Sequence, residues 1–169
     1  MSADLILVVG CTGAGKSSYA RALADQLGAL RFSIDEWMVA LFWADSPQPI
    51  EFAWTIERVN RCEAQIFAMA RQAATRDVPA VLDLGFTTKA HRDKFRDLGE
   101  QAGLSAAVHF VDVPADERWR RVEQRNAQQG ETYSLKVDRG MFDFMEGLWE
   151  PPSEAEWRAA GGLRIGADG

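Results

Sequence analysis

The run Gly10-Cys11-Thr12-Gly13-Ala14-Gly15-Lys16-Ser17 satisfies G-x-x-x-x-G-K-[ST] at every fixed position. These residue types in this order are suited to hold a chain of phosphates. Glycines let the backbone turn into a concave nest whose N–H groups converge on phosphate oxygens. A helix opening directly after the loop brings its positive N-terminal end to the same point. Lys16 would then reach the β- and γ-phosphates, and the Ser17 hydroxyl would ligate Mg²⁺. The bland alternative is a glycine turn carrying an exposed lysine. A strand before the loop and a helix after it argue against that reading.

The elements around the loop have the form it needs. Leu5–Val9 is a short apolar, β-branched run that ends in glycine, which predicts a buried strand. Tyr19, Ala20, Leu23 and Leu27 recur at helical spacing, predicting a helix from Lys16 to Leu27. A short strand is expected around Leu30–Ser33, then a helix from Asp35 to Trp43 broken by Pro47 and Pro49. Phe52–Thr75 reads as the longest helix, with Ile56, Val59, Cys62, Ile66, Met69 and Ala73 as its inner stripe. Strands follow at Pro79–Gly85 and Ser105–Val113, separated by a polar helix over Thr88–Ala102. Pro114 fits the first turn of a helix running to about Gln129. Val137, Met141, Phe144, Met145 and Leu148 give a last helical stripe, and Leu163–Ile165 a final short strand. Beyond Glu150 the Pro-Pro and Gly-Gly pairs predict a surface excursion. Strands alternating with helix-length connections mean βαβ units and a parallel sheet covered on both faces.

Composition narrows the class. The 169 residues fit the roughly 100–200 of one domain, so a single domain over 1–169 is expected. Hydrophobic residues at 47% and charged residues at 26% suit a soluble globular protein. Two cysteines, Cys11 and Cys62, exclude a disulfide scaffold and a cysteine-based zinc site. A formal charge of −6 argues against broad attraction to nucleic acid or anionic lipid. Leu5–Val9 is far short of a membrane span, and no signal segment precedes it, which predicts a cytoplasmic location. No Asn-Lys-x-Asp stretch marks a guanine-specific switch, and a large motor ATPase would need more sheet.

The chain resembles the small P-loop kinases grouped with AAA-type ATP-binding proteins, zeta toxins, polynucleotide kinases, gluconokinases and chloramphenicol phosphotransferases. GCTGAGKS, SIDEW after the first helix, VLDLGF and WRRVEQRN carry the resemblance, with FMEGLWEPP as a weaker fifth piece. It implies a P-loop NTPase three-layer α/β sandwich of kinase type, with a five-stranded parallel sheet and a helical lid at about 115–135. It also implies phosphoryl transfer from ATP, with Mg²⁺, to a hydroxyl group. Gly10, Cys11, Thr12, Gly13, Ala14, Gly15, Lys16, Ser17 and Ser18 would line the nucleotide.

Asp35 falls just beyond the second strand, where a carboxylate could take or orient the acceptor's proton. Its competing role is an N-cap, which Ser33 could fill instead. Asp83 ends an apolar strand, a natural place for the acid that joins Ser17 on Mg²⁺. Arg118, Arg121 and Arg125 share a helix face. Arg125 matches the family's lid arginine best and Arg121 comes second, each able to neutralise charge on the transferred phosphoryl. Pairing with Glu117 and Glu123 would explain any one of these arginines, but three on one stripe favour the lid. Trp37, with Trp43 and Trp54, would wall the acceptor, and Arg92 resembles a family arginine that can face substrate. For the tryptophans core packing is the competing explanation, and for Arg92 a solvated helix face. His91 and His109 read as isolated, the latter packed within its strand.

The combined expectation is a kinase acting on a small-molecule hydroxyl compound. Polynucleotide kinases of the family carry an arginine three residues after the aspartate, where this chain has Met38. A nucleic-acid 5′-hydroxyl kinase and a nucleotide-binding ATPase module without a transfer substrate are the rivals. A toxin-like sugar-nucleotide kinase with an antidote partner is a further variant. Oligomeric state is not encoded in any of these features.

Overall fold

The computed structural model describes residues 3–128 and 136–166. The strands are β1 (Leu5–Val9), β2 (Leu30–Ser33), β3 (Ala80–Asp83), β4 (Ala106–Val111) and β5 (Leu163–Ile165). They form one sheet in the order β2-β3-β1-β4-β5, and every pairing is parallel. The helices are α1 (Lys16–Leu27), α2 (Ile34–Phe42), α3 (Phe52–Ala74), α4 (Lys89–Gln101), α5 (Ala115–Gln128), α6 (Arg139–Leu148) and α7 (Glu154–Arg158). The five-stranded parallel sheet and the three-layer α/β arrangement are those expected. None of the described helices is long and apolar enough to cross a membrane.

Strand β1 shows why the layers form. Its side chains alternate, so Leu5, Leu7 and Val9 join Cys62, Ile66 and Ala70 of α3 and Phe95 of α4. Ile6 and Val8 face the other way, onto Ala20, Leu23 and Ala24 of α1. All five are buried, at about 1.5–3 kcal/mol for each large aliphatic side chain removed from water. Because the sheet is parallel, the loops that follow β1, β2, β3 and β4 open on one edge. His109 is buried in β4, with its Nδ1 2.7 Å from the Tyr19 hydroxyl.

Three expectations are corrected. The inner face of α3 is Cys62, Glu63, Ile66, Ala70 and Ala73, whereas Ile56 and Met69 are exposed. On α6 only Phe142 is buried, while Met141, Phe144 and Leu148 of the expected stripe face outward. The segment after Glu150 is largely exposed, as expected, but it is tied to the core rather than a plain surface excursion. Ser153 and Glu156 form a capping box that starts α7, Trp157 packs on the core, and the chain returns as β5 beside β4. The predicted lid is described only as far as Gln128; Gln129 and the rest of it, through 135, lie outside the described residues.

Candidate active site

Gly10–Ser17 connects β1 to α1 as a tight loop. Gly13 and Gly15 hold φ of 82° and 93°, a region that side-chain-bearing residues avoid. At Gly13 a Cβ would also lie 2.5 Å from the Arg118 carbonyl oxygen, so glycine is required twice over. Lys16 is half-buried and donates from Nζ to the Cys11 carbonyl at 3.2 Å. Burial pulls its ammonium below the usual lysine range, and Asp83 and Asp35 partly restore it.

Ser17 and Asp83 meet. The Ser17 hydroxyl donates to Asp83 Oδ2 at 2.7 Å, joining the first turn of α1 to the end of β3. Two oxygen donors so close are hard-ligand chemistry suited to Mg²⁺, which keeps waters and takes phosphate oxygens as further ligands. Among the described residues no group of three or more His, Cys, Asp or Glu forms a self-sufficient metal cage. The pair therefore fits a metal that arrives with a nucleotide.

Asp35 lies in the first turn of α2 but does not cap it. Ser33 does, accepting from the Glu36 amide at 3.4 Å, so the competing explanation for Asp35 falls. Asp35 is exposed at the surface, yet protein packs around its carboxyl closely enough to disfavour its charge. Burial and the Asp83 carboxylate push its carboxyl above the usual aspartate range, against Lys16 and Arg125. These four charges lie at the same sheet edge.

The arginines of α5 divide. Arg125 is half-buried, acts on Asp35, and its buried Nε has no hydrogen-bond partner among the described residues. Arg121 reaches the loop itself, donating to the Ala14 carbonyl at 3.3 Å while also holding Glu117. Arg118 is buried and structural. It donates to the carbonyls of Val113 at 2.8 Å and Thr12 at 3.1 Å, and pairs with Glu146 at 2.7 Å.

Of the two substrate contacts expected from sequence at Arg92 and Trp37, that of Arg92 is corrected. Arg92 is fully buried, with Nε on Glu156 at 2.9 Å and Nη1 on the carbonyls of Phe86 and Glu150. Its guanidinium secures the loop after β3 from behind. Trp37 is half-buried against the core with its ring steeply inclined to that of Phe32, and it follows Asp35 by two positions, which places it on a different face of α2. The residues that share the Asp35 face are Met38 and Val39.

Sequence reasoning missed Glu146 and Glu156. Ser153-x-x-Glu156 is a capping-box signature that could have found the second. Glu146 lies in the FMEGLWEPP stretch, but nothing local reveals its role, because its partners Cys11 and Arg118 come from distant segments. His91, expected to be isolated, meets buried Glu63 at 2.7 Å beside Lys94 at 2.6 Å.

A phosphate loop, an Mg²⁺-suited pair and a carboxylate at one edge of a five-stranded parallel sheet define a P-loop protein of kinase type. The AAA domain family matches residues 5–152, and the chain belongs to that family. No curated protein matches it in sequence. Solved structures share its fold at low identity. Kti12 from Chaetomium thermophilum, in complex with ADP-AlF3, is 18% identical with a TM-score of 0.71, covering 97% of this chain and 89% of that one. An APS kinase from Mycobacterium tuberculosis, in complex with AMPPNP and APS, is 18% identical with a TM-score of 0.66, covering 99% and 90%. A sugar kinase from Janibacter sp. is 16% identical with a TM-score of 0.66, covering 98% and 86%.

Proposed function

We propose that this chain is a cytoplasmic ATP-dependent kinase, one domain throughout, that transfers the γ-phosphoryl group to a hydroxyl of a small organic acceptor. One observation carries the reading. Asp35 stands at the same sheet edge as Lys16, the Ser17–Asp83 pair and Arg125, close enough for their charges to shift its proton affinity. A nucleotide module that transferred nothing would have no use for a poised carboxylate there.

Each residue has a part. Backbone amides of Gly10–Ser18 and the Lys16 ammonium hold the phosphates, and Ser17 with Asp83 would hold Mg²⁺, which supplies charge neutralisation when bound. Asp35 orients the acceptor hydroxyl and takes its proton as the oxygen attacks the γ-phosphorus. The bond to the β-phosphate oxygen breaks and ADP leaves with its electron pair. A carboxyl raised above the ordinary range is the better base for this task. Arg125, with a donor still unpaired, and Arg121 on the loop stabilise the charge that spreads over the transferred oxygens.

A panel of sugars, aminoglycosides, nucleosides and simple alcohols, read as ADP release and mass gain of the acceptor, tests this. Acceptor-dependent ADP release by the wild type, abolished in a folded Lys16→Ala variant, is the expected result. ADP release that no acceptor stimulates would favour the ATPase module instead.

A further inference from the structure

Buried Cys11 and Arg118 meet half-buried Glu146 at a junction that the transfer chemistry does not use. The Cys11 thiol donates to Glu146 Oε1 at 2.8 Å, and Arg118 Nη1 lies 2.7 Å from the same oxygen. Burial and the Glu146 contact push the Cys11 thiol up to about 11, so at neutral pH it remains a hydrogen-bond donor. The Arg118 hydrogen bond holds the Glu146 carboxyl below its usual range against its partial burial, so it is an anion. One carboxylate oxygen thus collects a donor from the phosphate loop and another from α5.

The same guanidinium fixes the backbone. Arg118 donates to Thr12 within the loop and to Val113 at the end of β4. Gly13 packs against the Arg118 carbonyl with no room for a side chain. Helix α6 buries only Phe142, which sits edge-on to Trp119 with Arg118 above its ring. Phe142 and Glu146, one turn apart on α6, both therefore bear on Arg118.

We infer that Glu146 is a positioning residue for nucleotide binding, coupling the seating of α6 to the shape of the Gly10–Ser17 loop. The inference rests on reading that loop as the nucleotide site. Coupling of this kind is reciprocal: if seated α6 favours nucleotide, bound nucleotide must favour seated α6. Truncating Glu146 leaves the Cys11 thiol and the Arg118 guanidinium short of a partner in a buried place, which loosens the loop.

The test follows Cys11 alkylation by iodoacetamide, mapped by peptide mass spectrometry, alongside ADP affinity with Mg²⁺ and thermal melting. In Glu146→Ala, Cys11 labelling should accelerate about tenfold with Cys62 unchanged, and the Kd for ADP should rise about tenfold. In Glu146→Gln both effects should be smaller, because the carboxamide oxygen still accepts from the thiol. In the wild type, MgADP should slow Cys11 labelling. In turnover the KM for ATP should rise while the acceptor KM stays put. Equal ADP affinity in wild type and Glu146→Ala overturns the inference, as does labelling that rises at Cys11 and Cys62 alike. A wild type that binds no ADP overturns the nucleotide reading itself, a separate failure.

Discussion

Ser17 Oγ and Asp83 Oδ2 lie 2.7 Å apart although 66 residues separate them in the chain. The contact exists because β1 and β3 are parallel neighbours, with Leu7 in register with Leu82. A loop leaving the end of β1 must therefore meet a side chain at the end of β3. Asp83→Asn keeps an oxygen for Ser17 but removes the anion suited to a metal. It should raise the Mg²⁺ concentration for half-maximal transfer about tenfold or more. An Mg²⁺ titration of transfer rate decides this, and an unchanged midpoint removes Asp83 from the metal site.

Asp35 carries the clearest pH signature. Its carboxyl lies above the usual range, so the acid limb of the transfer rate should fall at a higher pH than an ordinary aspartate gives. Asp83 is one cause of that shift, so Asp83→Asn should move the limb to lower pH. Asp35→Asn should bind MgATP nearly as well as wild type and transfer far more slowly. Stability runs the opposite way. An acid whose folded pKa is raised penalises the native state once pH rises past its unfolded value of about 3.9. Asp35→Asn should therefore melt slightly higher at pH 7, by about 2 °C or less given its solvent exposure, with no gain at pH 3. A lower melting temperature at pH 7 contradicts the assignment.

Glu63 gives a contrasting prediction away from the site. Burial opposes its charge, but the His91 imidazole 2.7 Å away and the Lys94 ammonium, which donates to it, outweigh burial and hold its carboxyl below the usual range. A depressed acid adds stability above its unfolded pKa and loses it as pH falls through the folded one. Glu63→Gln should cost about 1–2 kcal/mol at pH 7, lowering Tm by about 2–8 °C. The gap should narrow as pH falls below the unfolded value of about 4.3, where the unfolded chain takes up the proton first, and should close as pH falls through the lower folded value. Melting curves for both proteins across pH 3–7 test this, and a gap independent of pH refutes it.

Residues held by local spacing were legible in the sequence. The loop, its helix and the ends of β2 and β3 follow from motif, glycine placement and apolar runs, which places Lys16, Ser17 and Asp83 as candidates, while the reading of Asp35 as the acceptor's base rests mostly on the family resemblance. Periodicity failed where a helix offers two apolar faces. On α6, Met141, Phe144 and Leu148 recur at helical spacing as well as Phe142 does, and only tertiary contact with Trp119 and Arg118 selects Phe142. Charge function was legible only up to its partner. Arg92 and Arg118 looked like surface cations because Glu156 and Glu146, 64 and 28 positions away, are invisible to local reading. Both arginines are committed inside the protein.

That commitment bears on the acceptor. A polynucleotide needs several phosphate contacts, and each one neutralised on a single strand contributes about −0.7 to the slope of log affinity against log salt. Of the cations that could build such a track, Arg92 and, on the α5 face, Arg118 are buried and engaged with carboxylates. Beside Asp35, Arg31 is tied to Glu36 by two hydrogen bonds of 2.6 and 2.7 Å. The face of α2 that continues from Asp35 offers Met38 and Val39, which supply apolar surface and no charge. Arg121 and Arg125 lie toward the phosphate loop and Asp35, where the nucleotide's own phosphates would use them. An acceptor held chiefly by apolar contact and one hydroxyl should show a KM nearly flat between 50 and 500 mM salt. Under the same conditions a 5′-hydroxyl oligonucleotide should accept no label from γ-labelled ATP. Efficient end-labelling that falls steeply with salt would assign the protein to nucleic-acid ends instead, with phosphate contacts contributed by residues other than Arg92 and Arg118.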